Sequence, residues 1–596
     1  MEKVYLTRKK KKGKYIHLYL EGRAWIDGRS RRTWQKYLGP EHLLKDMNLS
    51  GFLSKSAKQV ETETLEFGIS AALWQIAREI GLIDKINAVT GKDRNQNLTL
   101  GDYLTIAAIN RCAAPCSKSK LPQWFSKDWL GTQYDINPKI LNAQTYWNHF
   151  QYLTEKNIEK IQLNLIKDVK KDYSLSLEGL LYDPTNFFTF SKGGRGWRKG
   201  KGSKLLQYGH SKENRNDKRQ VAFWLICDRD TGVPLFHYTY PGNCQDAGIF
   251  KEMPKQGGIE TRESVPTRVA RFLNSLDLDP KEITMVFDNG NLSEEGMTYI
   301  EDEHIKFIAS RRPSTHKSLL QIPSTKFTDH ILPISGKPIK YYKTSMKVYG
   351  KLRIIYMTLD PAKQKKKICE FRAKIAKIQA EIEEYFADRL NPKNLMDIQG
   401  QGQKWLKRSE VEIKVRKMIG RAPLKNVITV QVEGPEEVDV DREERIEIFL
   451  EINKDAQALH EESLGRSIIF TNQEFWEPEA VIWGYRQQYI VEHAFRNMKC
   501  TSSISVRPMF HHADTSIPPH VFICYLSYLL LSLLRLKLAR KGCPASFEEI
   551  HDALQAVHLT KIYPSSNSNS KPIVKIDRMS GLAKKIAKHL DFKDLI

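Results

Sequence analysis

Three carboxylates stand where chemistry on a phosphodiester would need them. Asp183 closes the apolar run GLLYD, Asp288 closes ITMVFD, and Glu492 lies inside YRQQYIVEHAFRNMK. Carboxylates that converge cannot all stay ionised without a cation, because each raises the proton affinity of the next. Two Mg²⁺ ions about 3.5–4 Å apart would relieve that repulsion, bind a phosphodiester, activate a water or 3′-hydroxyl and stabilise the leaving oxygen. Oxygen donors without His or Cys select Mg²⁺, or Mn²⁺, over zinc. Each acid taken alone also has an ordinary explanation. Asp183 precedes Pro184 and could form a turn, Asp288 precedes Asn289 and Gly290 and could open a β-turn, and Glu492 could pair with Arg496.

Positioning these acids requires two strand ends on a central sheet and a helix packed beside it, which together can present three carboxylates at the sheet's carboxyl edge. The pattern predicts one long helix from Trp483 through Lys499. At ~100° per residue, Tyr485, Gln488, Arg496 and Lys499 fall within about 40° of Glu492. Ile490, Val491, Ala494 and Met498 lie away from that face, so the apolar side packs inward and the polar stripe borders a cleft suited to backbone phosphates.

The rest of the chain divides by texture. Residues 1–60 carry 15 Lys/Arg against 5 Asp/Glu, interleaved with Tyr5, Tyr15, Tyr19 and Trp25 in β-like runs, and are expected to form a basic DNA-binding arm. Residues 61–175 have apolar positions at threes and fours and predict a helical domain that binds DNA ends. Strand-like segments over 176–310 predict the first part of an α/β core, interrupted by a β-rich and helical insertion at 311–465. The core resumes over 466–560, and 561–596 forms a C-terminal tail. Within the first part, residues 191–220 hold ten Lys/Arg against two Asp/Glu, with glycines in GGRGWRKGKG, and predict a basic loop near Asp183.

Composition narrows the function classes. Lys+Arg of 94 against Asp+Glu of 70 leaves a formal charge of +24, so a polyanion is the expected partner. The 41% hydrophobic content and 28% charge describe folded, multidomain protein. No GxxxxGK[ST] loop appears, so ATP is not implied. The eight cysteines lack zinc-ligand spacing and are expected to be reduced thiols. The N-terminus lacks the apolar core of a signal peptide. The apolar stretch Val521–Leu534 is shorter than the ~20 residues that cross a bilayer, which predicts a buried helix, no membrane partner and a cytoplasmic protein.

With these residues in view, the chain resembles the DDE transposases of bacterial insertion elements, in the group with a β-rich insertion before the final Glu. The matching segments are YDPTNFF, GHSKENR followed by RQV, GVPLFHYTYPGN with Asp246, VFDNGNLS, and YRQQYIVEHAFRNMK followed by SVRPMFHH. They run from about 180 to 530, with weaker likeness in YIHLYLEGRAW and YLGP. The resemblance implies a ribonuclease-H-like core with Asp183, Asp288 and Glu492 as the metal-binding triad. It also implies action on terminal inverted repeats and target DNA, by strand cleavage and strand transfer, by a nucleoid-associated dimer or higher oligomer. That group's helix carries Tyr, two residues, Arg, three residues, Glu, six residues and Lys. Here Tyr485, Glu492 and Lys499 match, and Gln488 holds the Arg position. Tyr485, Gln488 and Lys499, with Arg496 on the same face and Lys212 and Arg215 of the GHSKENR segment, are the expected DNA contacts. The alternatives are a structure-selective nuclease on the same fold and a transposase-derived DNA-binding protein without catalysis.

Overall fold

The computed structural model describes residues 3–10, 16–26, 28–41, 61–91, 98–190, 203–252, 263–332, 336–387, 389–390, 407–438, 445–500, 504–506, 509, 511–563 and 572–595. The chain is α/β and forms two compact bodies, Met1–Asp279 with Tyr489–Ile596, and Pro280–Gln488.

The first body is built around one helix. Ile517–Arg540 is 24 residues long and long and apolar enough to cross a membrane, where the sequence pattern suggested a shorter element. Such a helix has no polar side to give to water, so it must be covered all round. Helices Gly68–Glu79, Leu100–Ala113 and Glu155–Asp172 cover it together with strand Pro234–Pro241, and 83% of its apolar window is buried inside the fold. Three of its polar side chains donate to neighbouring backbone. Ser527 Oγ donates to the Ala108 carbonyl at 3.0 Å, Tyr525 Oη to the Leu235 carbonyl at 2.9 Å, and Arg535 Nη2 to the Thr231 carbonyl at 2.7 Å.

The surrounding helices start where the local chemistry allows. Thr99 and Asp102 form a reciprocal capping box ahead of Leu100–Ala113, and Thr154 caps Glu155–Asp172. The eight cysteines are free thiols, four of them buried.

The strands of this body form three groups. β1 (Lys3–Lys10), β2 (Ile16–Ile26) and β3 (Arg29–Pro40) make an antiparallel meander. β4 (Glu61–Glu66) pairs with His558–Tyr563, which pairs with Ile573–Ile576. Part of the segment expected as a C-terminal tail is therefore a strand-and-helix return onto the start of the helical region. The third group holds the Asp183 segment. β5 (Gly179–Phe188) pairs antiparallel with β7 (Arg219–Asp228), whose other side carries β6 (Gln207–Tyr208) and β8 (Pro234–Pro241).

The second body has a mixed sheet of β9 (Thr284–Phe287), β10 (Lys306–Arg311), β11 (Thr328–Ile331), β12 (Pro338–Val348), β13 (Lys351–Leu359) and β16 (Arg466–Thr471). Within it, β9 and β10 are parallel, β16 pairs antiparallel with both β10 and β13, and β12 bridges β13 and β11. Tyr349 and Gly350, with φ of 48° and 76°, join β12 to β13 by the two-residue turn whose twist suits a hairpin. Residues 361–464 hold their own apolar cluster, in which Phe371, Ile375, Ile378 and Ile382 of helix Pro361–Ala387 meet Val411 and Val415 of helix Arg408–Ile419. That helical stripe packs within the chain. The hairpin β14 (Ile428–Glu433) and β15 (Glu447–Ile452) completes this part. The bodies divide after Asp279 and Gln488, where the sequence pattern suggested 310 and 465; β9 pairs with β10, and β16 with β10 and β13.

Three histidines, His237 and His520 buried and His511 partly buried, make the first body acid-sensitive. His237 is 2% exposed, stacked on Tyr525 at 4.8 Å, and its Nδ1 lies 2.6 Å from Gln162 Oε1. Burial lowers its pKa from 6.5 to about 3, and burial likewise lowers His511 and His520. The unfolded chain therefore binds protons that the folded chain refuses, so stability falls as pH drops below 6.5 toward 3. Each such group contributes about 1.4 kcal/mol per pH unit. His237→Gln should make the fall in melting temperature between pH 7 and pH 4.5 measurably shallower, read by calorimetry; an unchanged slope would contradict this.

Candidate active site

Asp183 is half-buried in the middle of β5, where the sequence pattern put it at a strand end. Pro184 does not stop the strand, because only alternate residues exchange both bonds with a given antiparallel neighbour, and pairing continues from Asp183↔Leu225 to Phe188↔Gln220. The turn explanation for Asp183 is thereby removed.

The polar segments singled out in the sequence are stitched together beside this acid. Asn186 donates from Nδ2 to the His210 carbonyl at 2.7 Å, and its Oδ1 accepts from the Lys212 N–H at 3.1 Å. Gln220 Nε2 donates to the Gly209 carbonyl at 2.7 Å. A Cβ on Gly209 would lie 2.2 Å from the Gly242 carbonyl, and one on Gly242 would lie 2.1 Å from the Gln220 carbonyl, so glycine is required at both crossings. Lys212 Nζ donates to the Pro184 carbonyl at 2.6 Å and pairs with Asp246 at 3.0 Å. Burial, then the nearby Asp246 and Asp183 carboxylates, push the Tyr182 phenol well above its ordinary pKa.

Glu492 is exposed in the first turn of helix Tyr489–Lys499. Val491, Ala494, Phe495 and Met498 are buried, and Phe495 meets Phe223 of β7 edge-on at 5.4 Å. The helix thus lies on β5 and β7 with its polar residues outward. Among the described residues, no ion pair joins Glu492 to Arg496, which is also exposed. Lys499 turns inward. Its ammonium donates to Thr185 Oγ1 and to the Asn186 carbonyl, each at 2.7 Å, and lies 3.4 Å from Glu213.

The single long helix predicted from Trp483 to Lys499 is two helices, Pro478–Arg486 and Tyr489–Lys499, with a turn at Gln487 and Gln488. Tyr485 belongs to the first of these helices and Gln488 to the turn. Gln488 is 7% exposed, within the turn.

In the second body, Asp288 is exposed immediately after β9. Ser310 Oγ donates to its Oδ1, and Tyr485 Oη reaches the same oxygen at 3.3 Å. The parallel register Ala309↔Phe287 brings Ser310 level with Asp288, a role that the sequence pattern did not single out. Tyr485 arrives because helix Pro478–Arg486 packs close to β10 at Gly484, where a Cβ would lie 3.1 Å from Ile308 Cδ1.

The cations of the GHSKENR segment are used locally. Arg215 makes a two-pronged pair with Asp217 at 2.8 and 2.9 Å and lies over the Phe188 ring at 5.0 Å. Residues 191–202, including all of GGRGWRKGKG, lie outside the described residues, as do Arg507, Pro508 and Phe510 of SVRPMFHH. Among the described residues, no group of three or more His, Cys, Asp or Glu side chains is gathered to hold a metal ion. Individually, Asp183, Asp288 and Glu492 offer the hard oxygen donors that Mg²⁺ prefers.

Lys499 therefore fastens the Glu492 helix to β5. Lys499→Ala leaves the Thr185 hydroxyl and Asn186 carbonyl without this donor, a loss of about 1–3 kcal/mol, and should lower the melting temperature by a few degrees. Arg496→Ala, on the exposed face, should stay within about 0.5 kcal/mol of wild type. Equal melting temperatures for Lys499→Ala and wild type would contradict the fastening role.

No protein-family model matches the chain, and no curated protein matches it. Among solved structures it is similar to a cryo-EM structure of a piggyBac transposase synaptic complex with hairpin DNA, at 8% sequence identity and a TM-score of 0.33, over 81% of this chain and 79% of that one. A likeness of that depth carries no argument about fold or function.

Proposed function

We propose that the chain is a DNA transposase that binds the terminal inverted repeats of an insertion element and performs metal-dependent strand cleavage and strand transfer. The observation that supports this reading is the stitching of YDPTNFF, GHSKENR, RQV and YPGN, segments scattered over some sixty residues, into one polar cluster around Asp183. A surface without a task has no need of two glycine-only backbone crossings and a paired Lys212–Asp246 beside a half-buried acid.

In this proposal Asp183, Asp288 and Glu492 are the acids of the reaction. Mg²⁺, or Mn²⁺, as a pair of ions, would supply positive charge to the phosphodiester and lower the pKa of the attacking hydroxyl. The chain's own residues prepare the acids. Ser310 and Tyr485 fix one oxygen of Asp288, Lys499 and Phe495 hold the Glu492 helix on its strands, and Lys212 anchors the loop at Pro184. Arg496, exposed one turn beyond Glu492, is placed to meet a backbone phosphate. Cutting two ends in concert calls for a dimer or higher oligomer, acting on the nucleoid in the bacterial cytoplasm.

Asp183→Asn, Asp288→Asn and Glu492→Gln should each reduce Mg²⁺-dependent cleavage of a duplex bearing the element's end by about 100-fold or more while end binding is retained. Cleavage by any one of them at near wild-type rate removes that residue from the reaction. Tyr485→Phe, which only loosens Asp288, should slow cleavage by about tenfold, the scale of one hydrogen bond.

A further inference from the structure

The N-terminal meander ends in a projecting tip whose composition the catalytic account does not use. At its base, Leu18 and Leu20 of β2 are buried and Glu21 is 1% exposed. Glu21 gathers Lys9, Arg23 and Arg32 at 2.5, 3.4 and 3.3 Å, and these cations, with Arg32 Nη1 donating to Gln35 at 2.6 Å, stiffen the ribbon. Lys9 also lies over Tyr19, which packs on Tyr37 at 5.1 Å.

Among the described residues, β1 pairs with β2 as far as Lys3↔Arg23, and beyond that pair β2 and β3 continue through Ala24↔Arg31, Trp25↔Ser30 and Ile26↔Arg29. The strands turn back through Gly28 in the left-handed region, φ 71°. The segment Arg23–Arg32 contains four arginines and one acid, Asp27, which lies outside the described residues. Trp25 is 74% exposed and Ile26 40% exposed. A soluble surface gains nothing by presenting an indole at the end of an arginine-rich ribbon, whereas a ligand that is anionic at its edges and apolar at its floor matches it.

We propose that this tip is the element that reads the DNA end: a β-ribbon entering the major groove, with Arg29 and Arg31 on phosphates and purine edges and Trp25 and Ile26 on the groove floor. The major groove admits a ribbon of this width, and thymine methyl groups give it an apolar floor. The inference rests on the transposase reading above and adds to it the place of sequence recognition, apart from the acids.

The test is fluorescence anisotropy of the full chain on two labelled duplexes of equal length, one carrying the element's terminal sequence and one scrambled, across a salt series. Arg29→Ala/Arg31→Ala should flatten the dependence of log K on log salt by about two, at ~0.9 per phosphate lost. Trp25→Ala/Ile26→Ala should leave that slope unchanged and cut the preference for the terminal duplex by tenfold or more. Both variants alter exposed side chains, and matching circular dichroism and melting curves establish that they are folded. If wild type prefers and cleaves the terminal duplex and both variants do so equally well, this inference fails and the transposase reading stands. If wild type neither prefers nor cleaves the terminal duplex, the transposase reading fails and the inference with it. Tighter binding to one unpaired strand than to the duplex, lost on Trp25→Ala, would overturn the groove assignment in favour of stacking on unpaired bases.

Discussion

The first body depends on the burial of a helix that has no polar side. Ile517–Arg540 can exist in water only as an interior element, and its covering comes from both ends of the chain and from the strand that follows β7. That demand explains why helices from residues 68–172 and strands from 179–241 share a body with residues 489–596. It also places the Glu492 helix, which packs against the buried helix and against β5 and β7. A carboxylate on a helix so confined has little freedom to wander from the strand that bears Asp183.

Polar stitching does at the candidate site what apolar packing does in the core. Asn186 serves two backbone groups of the GHSKENR loop, Gln220 a third, and Lys499 closes the set by joining the Glu492 helix to Thr185 and Asn186. Buried or half-buried polar groups of this kind must be satisfied almost completely, which makes the arrangement specific as well as stable. Two lysines that a charge count assigns to DNA, Lys212 and Lys499, spend their ammonium groups on this frame. Arg496 does not, and the N-terminal ribbon carries a denser group of exposed arginines.

Much of this was legible in the sequence where a local rule sufficed. The strands and helices expected over 311–465 are present in the hairpin of β12 and β13 and in helix Pro361–Ala387, whose Phe371, Ile375, Ile378 and Ile382 are buried. The break at Gln487 and Gln488 was not legible, because both residues are good helix formers and the turn is imposed by what the flanking helices pack against. Strand β5 was expected to end at Asp183, yet tertiary pairing with β7 carries it on to Phe188. Ser310 escaped notice because its link to Asp288 is a matter of parallel register between strands some twenty residues apart, which no local pattern encodes. The inward turn of Lys499 likewise follows from the neighbouring strand and not from helical angle alone.

The central claim is that the chain both cuts and joins DNA. Its most direct measurement is a strand-joining assay with the full chain, duplexes labelled at the element's terminal repeats, a supercoiled target and Mg²⁺, with products resolved on a denaturing gel. The account predicts labelled ends covalently joined to the target, only when the divalent ion is present. Cleavage without any joined product would contradict it and leave a nuclease.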